Sequence, residues 1–99
     1  MKKHNWTNED LTLVLDSILV CYKTREWSEL IKDIAQDVGT TQGSVKALYV
    51  SLTRISQGYE PNPTQGGVGH NWGKNVEEAF YNWKEERKVS DSKLKIIFG

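Results

Sequence analysis

One cysteine, two histidines, two prolines and no net charge set the first bounds on this 99-residue chain. The lone Cys21 excludes an internal disulfide, and with His4 and His70 beside it there is no cysteine and histidine set for a structural zinc site. A reducing compartment is therefore expected. No apolar run approaches membrane-spanning length, and the start, MKKHNWTNED, has two lysines but no apolar segment of signal-peptide type. The expectation is a cytoplasmic protein without membrane contact. Lysine and arginine together number 13, as do aspartate and glutamate, a poor balance for neutralising many phosphates.

What is present is unevenly spread. Seven acids stand against three bases from Asn5 to Asp37, whereas Gly39 to Gly58 holds bases only. Four tryptophans and four tyrosines exceed the need of a small helical core, and such a surplus marks recognition surfaces. The length suits one domain with a single modest core.

The chain is organised around GTTQGSVKALYVSLTRISQG, residues 39 to 58. Thr41 caps its amino end, with Ser44 at the third helical position. Val45, Leu48, Tyr49, Leu52 and Ile55 fall on one face, and Gly58 stands where a left-handed residue is wanted. The opposite face is expected to carry Gln42, Lys46, Val50, Ser51, Thr53, Arg54 and Gln57. That is the composition of a recognition helix and equally of an ordinary surface helix.

Before it, Thr7 begins a helix over roughly Asn8 to Tyr22, with Glu9 and Asp10 at the positive end of the dipole and Trp6 as a staple. Its stripe is Leu11, Val14, Leu15, Ile18, Leu19 and Tyr22. Leu30, Ile31, Ile34, Ala35 and Val38 define a second helix that Gly39 ends. The close spacing of helices two and three predicts an all-α fold: a trihelical, helix-turn-helix-like bundle over about residues 6–58. A Gly/Pro-rich loop over 59–73 follows, with both prolines and four of the eight glycines. Asn75 and Glu78 make a capping box for an accessory fourth helix bearing Val76, Ala79, Phe80 and Trp83 and reaching about Lys88. The tail, SDSKLKIIFG, alternates Leu94, Ile96 and Phe98 with Lys93, Lys95 and Ile97, which predicts a short extended segment. It is expected to dock on the bundle or to join a homodimer.

The run QGGVGHNWGKN invites comparison with a phosphate-binding loop. Its spacing excludes a Walker A motif, because Val68 occupies the first glycine position, Asn75 follows Lys74, and no strand precedes it. An anion or nucleotide held near the start of helix four by Tyr59, His70, Trp72 and Lys74 survives as an expectation. Catalysis does not. His70 has no nucleophile assigned to it, Cys21 adjoins an apolar stripe, and the acids of helices one and two are spread for dipole and solubility roles. A non-enzymatic protein without cofactor or metal is expected.

The run WTNEDLTLVLDSILVCY, then SELIKDIAQDVGTTQGSVKALYVSLTRI, then VEEAFYNWKE resembles the amino-terminal module ahead of the nuclease domain in many bacterial restriction-type HNH endonucleases. The positions that carry the resemblance are Trp6, Thr7, Glu9, Tyr22, Gly39, Thr41, Gly43, Ser44, Val45 and Trp83. It covers the chain to about Lys88 and implies a DNA-sensing or specificity role, since cleavage belongs to the nuclease domain, which has no counterpart here. Where that family tends to carry Lys and Asn on the third helix, this chain has Leu48 and Ser51.

The leading expectation is thus a small DNA-binding protein of a phage or mobile element, with Gln42, Ser44, Lys46, Ser51 and Arg54 toward the duplex and Lys2 and Lys3 as an arm. The alternative is a phage anti-defence protein that sequesters a nucleotide signal or blocks a host defence protein. Its site would combine Tyr59, His70, Trp72 and Lys74 with Arg54.

Overall fold

The computed structural model describes residues 6–60 and 72–98. Over these residues the chain is all-α, with helices α1 (Asn8–Cys21), α2 (Trp27–Val38), α3 (Gln42–Ser56), α4 (Lys74–Glu86) and α5 (Asp91–Phe98) and no strand. The start and stop signals act as the residue types require. Thr7 Oγ1 accepts from the Asp10 amide at 3.1 Å, and Thr41 Oγ1 accepts from the Ser44 amide at 3.2 Å, each satisfying a donor the helix leaves unpaired. Gly39 ends α2 at φ 81°, a left-handed conformation that a Cβ disfavours.

One apolar cluster joins all five helices, from Leu11 and Val14 of α1 through Ile31, Leu52 and Phe80 to Leu94 and Phe98. α1 packs on α2 and α4, and α3 packs on α2, α4 and α5. Helix α4 is therefore part of the core: Phe80 and Trp83 are 1% and 2% exposed. Its contact with α1 is also polar. Asp16 accepts from Trp83 Nε1 at 2.9 Å, from Arg87 Nε at 3.1 Å and from a second Arg87 nitrogen at 3.0 Å. An acid read as a surface group thus ties two helices together.

Three local expectations are corrected. Asn75 does not cap α4; Gly73 holds the cap position, and Asn75 Nδ2 instead donates to the Trp6 carbonyl at 3.0 Å. The tail is helical rather than extended. Ser90 Oγ accepts from the Lys93 amide at 3.1 Å, and Leu94, Ile97 and Phe98 are buried at helical spacing while Ile96 is 63% exposed. Ser51, expected outward, is buried at 6% exposure, with its hydroxyl donating to the Ala47 carbonyl at 3.2 Å. Its place three residues after Leu48 and four before Ile55 puts it on the inward stripe. Among the described residues no helix is long and apolar enough to cross a membrane.

Candidate functional site

The end of α3 builds a defined surface feature among the described residues. Gly58, at φ 87°, turns the chain back on the helix, and the Tyr59 amide donates to the Arg54 carbonyl at 3.0 Å while the Gly58 amide donates to that of Ile55 at 3.0 Å. This pair of bonds forms a Schellman closure, which brings the residue after the glycine over the last helical turn. The Tyr59 ring accordingly meets the Arg54 guanidinium at 5.6 Å, within cation–π range. Sequence placed the glycine correctly; the closure fixes where Tyr59 goes.

A groove of about 330 Å³ opens beside this pair, lined by Tyr49, Val50, Thr53, Arg54, Gln57, Tyr59 and Phe98. α5 forms its far wall, held where the Tyr49 hydroxyl donates to the Ile97 carbonyl at 3.0 Å. Tyr49 is also packed between Trp27, at a centroid distance of 4.2 Å, and Phe98, at 5.4 Å. Burial pushes its phenol above the ordinary value, only partly opposed by a hydrogen bond involving Thr53, so it stays a neutral donor. The Thr53 hydroxyl is committed to the Tyr49 carbonyl at 2.9 Å. Arg54 differs. No carboxylate pairs with it among the described residues, and its Nε is buried without an acceptor. As the one cation among the described lining residues, Arg54 is the group there that can pair with an anionic oxygen.

The residues expected to face DNA are dispersed. Gln42 and Lys46 are exposed, Ser44 is used by Thr41 in the cap, Ser51 is buried, and Arg54 turns to Tyr59. Leu48 is buried as well, so both positions at which the HNH family tends to be polar face inward. Of the residues expected around a nucleotide, Tyr59 joins Arg54 at the groove, whereas Trp72 is buried at 8% exposure and Lys74 is an exposed residue of the first turn of α4 outside the lining. Lys2, Lys3 and His70 lie outside the described residues. Sequence reasoning missed Tyr49 and Phe98 as lining residues, because their neighbourhood depends on the helical tail. Among the described residues, no group of acids, histidines and cysteines is arranged to hold a metal ion. Comparison of the chain with protein-family models, curated proteins and solved structures returns no match.

Proposed function

We propose that this protein is a non-enzymatic binding module whose site is the groove between α3 and α5, and whose ligand is a nucleotide. A nucleotide joins the two chemistries the groove offers: a planar ring to lie against Tyr59 and an anionic oxygen for Arg54. The observation that carries the reading is Arg54, seated 5.6 Å from an aromatic ring in the lining of a 330 Å³ groove, with no carboxylate paired to it among the described residues. Ligand sites of small molecules begin at about this volume, roughly 300 Å³. Isothermal calorimetry with adenosine nucleotides is the test. Binding is expected, weakened by about 5- to 150-fold in Tyr59→Ala, because stacking of a base on an aromatic ring contributes ~1–3 kcal/mol. No heat from any nucleotide at millimolar concentration contradicts the reading.

A second reading, DNA binding by α3, is supported by the absence of acids from the whole helix and by the resemblance to the HNH endonuclease module. Gln42 and Lys46 are its remaining exposed candidates. Fluorescence titration of a labelled duplex at low salt separates the readings. Affinity that is abolished by moderate salt and reduced by Lys46→Ala supports α3 as a DNA face; affinity indifferent to Lys46→Ala counts against it.

A further inference from the structure

We propose that the groove selects nucleotides whose phosphate is a phosphodiester, carrying one negative charge, over terminal monophosphates and polyphosphates. This rests on the nucleotide reading above and adds a rule of charge to it.

Among the described residues the groove lining holds one cation and no anion, so Arg54 balances a single ligand charge. Every further negative charge enters without a partner and loses hydration. Helix geometry adds to that cost. Val50, Thr53, Arg54 and Gln57 belong to the carboxyl-terminal half and cap of α3, and Phe98 is the last residue of α5. Both helices thus present their carbonyl ends, the negative ends of their dipoles, on this side. The Gly39 to Gly58 stretch supplies one more cation, Lys46, but it lies two turns back along α3 and outside the lining. Distance points the same way. With ring and guanidinium 5.6 Å apart, one phosphate next to the base can reach Arg54, while the β- and γ-phosphates of a triphosphate extend past it without a second cation among the described lining residues.

Calorimetry at pH 7.5 and constant ionic strength tests the rule with adenosine, 3′,5′-cyclic AMP, the dinucleoside monophosphate ApA, AMP and ATP. The cyclic or dinucleoside diester is expected to bind about fivefold or more tightly than AMP, with ATP weakest; a fivefold ratio corresponds to about 1 kcal/mol, the order of one unbalanced charge. Which of the two diesters binds better distinguishes a cyclic signal from a single-stranded chain as the source of the phosphodiester. Lowering the pH to 5.5 protonates the AMP phosphate toward a monoanion, because its second proton titrates near ~6. AMP affinity should then rise toward that of the diester, whose own affinity stays level, since no Asp, Glu, His or Cys lines the groove among the described residues.

In Arg54→Gln the diester is expected to bind no better than adenosine; circular dichroism establishes that the variant is folded, and the pH series reports the same rule without any substitution. AMP or ATP binding as tightly as the diesters in the folded wild type overturns the charge rule while leaving the nucleotide site standing. Absence of binding by all five compounds overturns the site itself.

Discussion

Asp16 concentrates the polar contact between α1 and α4, accepting from Trp83 Nε1 and twice from Arg87. Trp83 is 2% exposed, so removal of the acceptor strands a buried N–H. Asp16→Leu is therefore expected to destabilise by about 1–3 kcal/mol, and Asp16→Asn, which keeps an acceptor, by clearly less. Urea denaturation with an unchanged m value measures both. The same group sets a pH dependence. Arg87 holds the Asp16 carboxyl below the ordinary 3.8, helped by Trp83 and opposed by burial. The unfolded chain takes up this proton first as pH falls, so the contribution is complete above about pH 5 and is lost as pH drops through 4 and then through the folded value. Asp16→Asn should flatten that part of the stability curve. At the groove, Tyr49→Phe removes the hydroxyl donated to Ile97 and should cost about 1 kcal/mol, with faster hydrogen exchange concentrated in α5.

Helix ends were legible in the chain where a residue's own chemistry decides the backbone. Thr7 and Thr41 cap because their hydroxyls reach the third amide, and Gly39 and Gly58 close because only glycine adopts positive φ without cost. The end of α4 shows the exception. Lys88 takes φ 53° while the Val89 amide donates to the Lys84 carbonyl at 3.0 Å, a left-handed closure without glycine. Lys88→Gly should stabilise by about 0.5–1 kcal/mol, read as a shift of the urea midpoint. The tail is ambiguous in sequence, because Leu94, Ile96 and Phe98 alternate while Leu94, Ile97 and Phe98 equally satisfy helical spacing. Ser90 and Asp91 ahead of them form a start signal that decides the matter. Ser90→Ala should cost about 1 kcal/mol and loosen α5. Ser51 departs from expectation for a different reason: its polarity points outward but its position points inward, and a hydroxyl satisfied by the carbonyl four residues back is readily buried.

For the whole molecule, the all-α class and the first three helices followed from periodicity, but the groove did not. Its two walls are 40 or so residues apart in the chain, and one of them exists only once the tail is folded as a helix against α3. No local pattern encodes that meeting. Burial of Leu48 and Ser51 and the turning of Arg54 onto Tyr59 leave α3 with few exposed groups for a duplex, while the same turn of Arg54 sets a cation beside an aromatic ring in the groove that we propose as the nucleotide site. Two-dimensional amide and side-chain NMR of the full chain titrated with 3′,5′-cyclic AMP addresses this claim directly. Saturable shifts centred on Tyr49, Thr53, Arg54, Tyr59 and Phe98, with Gln42 and Lys46 unmoved, are the result the groove reading predicts. A spectrum unchanged by nucleotide, or shifts centred on Gln42 and Lys46 instead, would contradict it.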